Sequence, residues 1–296
     1  FSEPLPAAPA EAIESLIERA KRERVDSFAA HYVFANNRLV YSEVADLPEG
    51  AICLPINEAL KEHSELVREF FMKEEQSAGG EKFAALHQSA TLSGLFLHAA
   101  KNVVIEKPVV VHHFIGGDFA VAFPHTLGVV GENASASVME FFESIDEHQQ
   151  SLSVGMVELF AADGGKIQYS ALLDLSDSGP KHVQLNSSRA GRDASIKAAF
   201  VNLGASWVRN ESINHMAGTG SDIQIFSANL ANADQEYDQR TLQLHEAQHT
   251  TSDLLFKNAQ YDESRTIFAG LIQVLPGSHH TDSYQTCRNL LGSDTA

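Results

Sequence analysis

The chain has 296 residues, 44% of them hydrophobic and 20% charged, enough to bury a sizeable core as one elongated domain or as one domain with an extension. Its 21 Lys+Arg against 39 Asp+Glu leave a formal net charge of −18, which argues against a nucleic-acid groove or an anionic membrane surface as partner. No apolar run approaches the ~20 residues of a membrane-spanning helix, no charged-then-apolar signal opens the sequence, and the two cysteines, Cys53 and Cys287, exclude a disulfide framework and suit a reducing cytoplasm.

The sequence starts at Phe1 rather than Met, so preceding residues are expected. After a Pro/Ala-rich lead, a helical pattern runs from Pro9 to about Arg24, with Ile13, Leu16, Ile17 and Ala20 at 3/4 spacing. Tyr32-Val33-Phe34 and Leu39-Val40-Tyr41 read as a hairpin turning through Asn36-Asn37. Ala51–Ile56 is a short buried-type strand whose Cys53 is expected to be a core thiol. Residues 57–75 read as one amphipathic helix capped by Asn57, and Glu81–Thr91 as another.

From about Leu95 the texture changes to short β segments: Val109–Ile115, Leu127–Val130, Ala134–Phe142, Leu152–Phe160, Lys166–Leu175, Ser195–Val201, Ser206–Ile213, Asp222–Phe226, Gln235–His245 and Thr266–Val274. So many strands with almost no helix between them exclude a βαβ protein and leave sandwich, barrel and stacked solenoid. Turn signals at Gly116-Gly117, Gly131-Glu132-Asn133, Asp163-Gly164-Gly165, Gly204 and Gly218-Thr219-Gly220 recur every ~10–15 residues, which favours stacked coils slightly.

Several local patterns invite a chemical reading. His245-Glu246-Ala247-Gln248-His249 spells H-E-x-x-H, whose two imidazoles chelate zinc only from one face of a helix. Here the flank from Tyr237 to His245 alternates with period 2, Leu242 and Leu244 forming an apolar face, and Thr250-Thr251-Ser252 follows. In a strand, residues four apart lie roughly 13 Å apart, too far to share one ion. Ser252 and Leu255 also stand where a longer zinc signature needs Gly and His. A zinc metallopeptidase built on His245, Glu246 and His249 is therefore the alternative reading rather than the leading one. His112-His113 lies inside a strand, one imidazole facing in and one out, with core packing expected. His279-His280 reads as a solvated loop, and Gly218-Thr219-Gly220 as a turn rather than a dinucleotide loop. Three N-x-S triplets at Asn133, Asn186 and Asn210 read as chance matches without a secretory signal. No phosphate-binding P-loop is present.

The C-terminal hundred residues carry a more specific signal. Gly191-Arg192-Asp193, Asn202-Leu203-Gly204-Ala205, Val208-Arg209-Asn210, Gly218-Thr219-Gly220-Ser221-Asp222 and His249-Thr250-Thr251-Ser252-Asp253-Leu254-Leu255-Phe256-Lys257 follow one another. Then come Phe268-Ala269-Gly270-Leu271-Ile272-Gln273-Val274 and Thr281-Asp282-Ser283-Tyr284-Gln285-Thr286-Cys287-Arg288-Asn289-Leu290-Leu291. This series resembles the core of the SufB/SufD family of iron–sulfur cluster assembly proteins. Weaker likeness reaches upstream through Lys107-Pro108-Val109 to Asp46-Leu47-Pro48-Glu49-Gly50. Short and without a cysteine-rich segment, the chain is more similar to the SufD branch.

The resemblance implies a mainly β protein: a right-handed parallel β-helix (β-solenoid) over residues 95–296, with a helical N-terminal region and a short hairpin over 1–94. It also implies a non-catalytic, cytoplasmic scaffold that pairs with a SufB-like paralogue and a SufC-like ATPase. No catalytic, cofactor-binding or metal residues are expected in this chain, and an Fe–S cluster would be transient, at the level of the complex. The family's C-x-H-G segment and C-terminal helical region have no counterpart before Ser293-Asp294-Thr295-Ala296, so their roles transfer to no residue here, and ATPase docking by this chain is expected to be weak or absent. Unpaired strand edges in the last coil predict association through the C-terminal β-helix, as a homodimer when the chain is alone.

Overall fold

The computed structural model describes residues 10–91, 93–147 and 149–295, so the Pro/Ala-rich lead, Pro9 and Ala296 lie outside the described residues. Helical periodicity yields α1 (Ala10–Glu23), and the Asn36-Asn37 turn, with Asn36 at φ 53°, joins β1 (Ala30–Ala35) to β2 (Arg38–Val44). β3 (Ala51–Pro55) leads into α2 (Ile56–Glu62) and α3 (Ser64–Phe70), and α4 (Glu81–Ala90) follows.

The single helix expected over 57–75 is thus two, capped at Pro55 rather than Asn57 and interrupted at His63 (φ −130°, ψ 41°). A straight helix would rotate Val67 about 80° away from Ala59. The break lets Ile56, Ala59 and Val67 all pack on one sheet face, against Phe96, Leu127, Val129 and Phe160.

The remaining strands run β4 (Ser93–Ala99), β5 (Val109–Ile115), β6 (Ala120–Ala122), β7 (Pro124–Val130), β8 (Ser135–Ser144), β9 (Ser151–Ala161), β10 (Lys166–Asp174), β11 (Lys181–Ala190) and β12 (Ser195–Asn202). They continue through β13 (Trp207–Met216), β14 (Asp222–Ala231), β15 (Glu236–His245), β16 (Thr251–Gln260), β17 (Arg265–Val274) and β18 (Asp282–Leu291). From β7 onward successive strands alternate between two sheets. The first sheet is ordered β2-β1-β5-β8-β10-β12-β14-β16-β18 and the second β3-β4-β7-β9-β11-β13-β15-β17, with β6 beside β9. Every pair is parallel except β1–β2 and β3–β4. The result is the expected parallel β-solenoid, of about seven turns. The change of texture near Leu95 falls inside β4, and β1 to β3 already extend both sheets.

Each passage from the second sheet to the first turns through a left-handed residue: Asn102, Asn133, Gly164, Asp193, Gly220, His249 and His280, with φ between 54° and 77°. These corners stack by backbone hydrogen bonds, Asp193 N donating to Thr219 O, Gly220 N to Gln248 O and His249 N to His279 O. Gly220 thereby fills the turn role expected of Gly218-Thr219-Gly220.

The interior is asymmetric. The first sheet turns apolar side chains inward, such as Ile167, Leu173, Ile196, Phe200, Ile223 and Ile225. The central strands of the second sheet turn polar ones inward: His182, Gln184, Asn186 and Ser188 on β11, and Gln239, Thr241, Gln243 and His245 on β15, all buried. Leu242 and Leu244, the apolar face of β15, instead point outward and are only partly covered. Inside the first sheet an asparagine ladder links successive coils: Asn202 donates to Asn229 (2.5 Å), Asn229 to Asn258 (2.7 Å) and Asn258 to Asn289 (2.7 Å). Helix α1 covers the outer face of the first sheet through Leu16 and Ala20, while α4 covers Val154, Met156, Val183 and Leu185 on the second.

Candidate functional site

The H-E-x-x-H residues are separated by the corner between β15 and β16. His245, the last residue of β15, is fully buried inside, its Nδ1 2.8 Å from Thr250 Oγ1 and its Nε2 3.0 Å from Ser252 Oγ; burial lowers its pKa. Glu246 turns to the outer face and accepts hydrogen bonds from Arg189 (3.0 Å) and His215 (2.6 Å). His249 occupies a left-handed corner position at φ 58° and stacks on His280, ring centroids 4.8 Å apart. Three side chains that must converge on one ion point in three directions, and the metallopeptidase reading has no support in this geometry.

The thiols are equally dispersed. Cys53 lies on β3, an outermost strand of the second sheet, and burial pushes its thiol up to about 12. Cys287 lies on β18, the opposite outermost strand of the first sheet, packed on the interior beside Asn258 Nδ2 (3.5 Å), its thiol raised mainly by burial. Neither is a ready thiolate, and the two cannot share one cluster from opposite ends of the stack.

Histidine–carboxylate contacts dominate the buried chemistry instead, and nothing local in the sequence marked them. Inside the solenoid, Glu140 accepts hydrogen bonds from Thr126 Oγ1 and Tyr169 OH (2.5 Å), with His113 Nε2 at 3.4 Å. Burial alone would push the Glu140 carboxyl up; His113, Thr126 and Tyr169 outweigh it and hold the group below its usual range. Beneath α4, His87 Nδ1 lies 2.8 Å from Val154 O and its Nε2 3.0 Å from His125 Nδ1, while His125 Nε2 is 3.2 Å from Glu158. Burial first, then His125, drives His87 down to about 3. His112 and His113 face opposite sides of the first sheet as alternation requires, but both are buried because α1 covers the outer side. Under α1, ligand-capable atoms of Glu23, His112 and Glu143 all lie within 4.8 Å of one another.

The last coil is the most open part of the chain. β17 and β18 each pair with one neighbour only, and Leu271, Val274, Tyr284, Leu290 and Leu291 are more than half exposed. Beside them an apolar groove of about 370 Å³ runs along Val201, Leu203, Leu230 and Leu290, with Lys257 and Arg288 among its lining. No helix among the described residues is long and apolar enough to cross a membrane.

Comparison with known proteins assigns the chain. Residues 113–296 match the family described as SUF system FeS cluster assembly, SufBD core domain, and residues 13–111 match the SufBD protein N-terminal region. The iron–sulfur cluster assembly protein SufD of Bacillus subtilis (strain 168) is 25% identical over 248 residues, 84% of this chain and 57% of that protein. A SufBD family protein of Pyropia yezoensis, ycf24, is 25% identical over 280 residues, 92% of this chain and 57% of that protein. One of Synechocystis sp. is 25% identical over 288 residues, 95% and 60% of the respective chains. The chain thus spans less than two thirds of the length of these relatives. With its solenoid and N-terminal region both matched, the chain belongs to the SufBD family of the SUF iron–sulfur cluster assembly system.

Proposed function

We propose that this chain is a non-catalytic scaffold subunit of the SUF assembly complex, pairing in the cytoplasm with a SufB-like paralogue and a SufC-like ATPase, with the Fe–S cluster as cargo of the complex. The observation that carries this reading is the match of residues 113–296 to the SufBD core, laid over a solenoid whose one catalytic-looking motif is dismantled by a corner. Supporting it, β17 and β18, each paired on one side only among the described residues, and the exposed Tyr284, Leu290 and Leu291 offer strand pairing and apolar burial to another β-solenoid. The same edges favour a homodimer when the chain is alone.

Co-expression with SufB-like and SufC-like proteins from the same genome tests the reading. Recovery of the partners on the tagged chain, reduced by charged substitutions at Leu290 and Tyr284, is the expected result. Failure of the SufB-like partner to co-purify, or stoichiometric zinc lost on His249→Ala, would overturn it.

A further inference from the structure

We propose that Glu23, His112 and Glu143 form a binding site for one divalent first-row transition-metal ion, between the C-terminal end of α1 and the outer face of the first sheet. His112 projects outward from β5, and Glu143 projects from β8 beside it, opposite Phe114 in the register. The His112 ring is fixed by stacking on Phe141, centroids 4.5 Å apart and planes at 9°. It is fully buried, yet neither ring nitrogen makes a hydrogen bond, and Glu143 Oε2 is likewise buried without one. These unsatisfied atoms face each other: His112 Nδ1 lies 3.6 Å from Glu143 Oε2. Two ligands held about 2.1 Å from a tetrahedral ion stand about 3.4 Å apart, close to the separation seen. Glu23, the third donor, is exposed at the end of α1, its carboxylate already within 4.8 Å of the other two donors and open to an entry path from solvent.

Charge favours a cation. Arg19 is the guanidinium that contacts both carboxylates, through Glu143 Oε1 at 3.2 Å and Glu23 Oε1 at 3.3 Å, and one positive charge does not balance two negative ones. Neither His112 ring nitrogen is engaged by a protein partner, which leaves a nitrogen of the neutral imidazole open to ligate. One imidazole nitrogen with two carboxylates suits Mn²⁺, Fe²⁺, Co²⁺ or Zn²⁺; Mg²⁺ and Ca²⁺ prefer all-oxygen shells and Cu(I) prefers sulfur.

The test uses the full chain stripped with a chelator and titrated anaerobically with Co²⁺ alone, followed by its d–d absorbance, then with Zn²⁺ and Fe²⁺ by calorimetry. One equivalent is expected to bind. Glu23→Gln should weaken binding by at least the tenfold that loss of even an outer partner brings, and Glu143→Gln likewise. His279→Gln/His280→Gln should leave binding unchanged. Glu23 is exposed, so its variant keeps the fold and decides the matter if Glu143→Gln does not. Absence of a bound equivalent, or wild-type affinity in Glu23→Gln, would overturn the proposal.

Discussion

Removing the Tyr169 hydroxyl isolates the buried carboxylate at the centre of the solenoid. Tyr169 and Glu140 are both 2% exposed, and the phenol donates to Glu140 Oε2 at 2.5 Å. In Tyr169→Phe that oxygen loses its donor, while Thr126 and His113 still serve Oε1. A hydrogen bond to a buried charged group is worth about 1.5–3 kcal/mol, against about 0.5–1.5 kcal/mol for a neutral one. Tyr32→Phe supplies the neutral control, because its hydroxyl donates to the Cys53 carbonyl at 2.7 Å. With about 2.1 cal/mol/K of unfolding entropy per residue over 296 residues, Tyr169→Phe should lower Tm by about 2–5 °C and Tyr32→Phe by about 1–2 °C. Differential scanning calorimetry and urea denaturation measure both. In a Glu140→Gln background the same Tyr169→Phe change should fall to about 1 kcal/mol or less, since no charge is stranded. A Tyr169→Phe shift no larger than that of Tyr32→Phe, or one indifferent to Glu140→Gln, would refute the argument.

Gly204→Ala would drive a Cβ into the Leu175 carbonyl oxygen on the preceding coil, so a loss near or above the upper end of about 1–3 kcal/mol, or failure to fold, is expected in urea titration. Burial is the leading cause that drives His31 and His87 to about 3 and His112 and His182 to about 4, from an ordinary 6.5. Each stays neutral in the fold and charges more readily when unfolded, so its stabilisation is complete above 6.5 and is lost as pH falls toward about 4 for His112 and His182 and about 3 for His31 and His87, by up to about 1.4 kcal/mol per unit for each. The urea midpoint should therefore be flat from pH 8 to 7 and fall below 6.5; a flat profile down to pH 5 would contradict this. A disulfide reagent at pH 8 should titrate Cys287 in the native protein and reach Cys53 only on unfolding, and two thiols reacting at one rate would count against that order.

Much of the fold was legible where alternation coincides with burial. Val109–Ile115 is β5 residue for residue, and the expected strands from Leu152 to Val274 fall on real ones with shifts at their ends. β11 escaped because its inward residues are polar, while Val183 and Leu185 face outward and are covered by α4. With Val183 and Leu185 as its two large apolar residues and both faces buried, β11 shows too short a period-2 pattern to register. The same arrangement of faces places Leu242 and Leu244 outside, yet the alternation from Tyr237 still identified a strand and so dissolved the zinc motif correctly. β18 was reached through the Thr281–Leu291 resemblance rather than through pattern. The Glu23–His112–Glu143 cluster left no trace because its donors come from a helix and two strands that only the fold unites.

The polar lining of β11, β13 and β15 has a thermal consequence. Heat-capacity change on unfolding rises with apolar surface exposed and falls with polar surface, at about +0.45 and −0.26 cal/mol/K per Å². A stack whose second sheet buries Gln184, Asn186, Asn210, Ser212, Asn214 and Gln243 exposes less apolar area per residue when it opens than an all-aliphatic solenoid would. Its heat-capacity increment should fall below the usual 12–15 cal/mol/K per residue, which flattens the curve of stability against temperature. Such a coil loses less of its hold on cooling, and its polar-lined interior is the part least dependent on the hydrophobic effect.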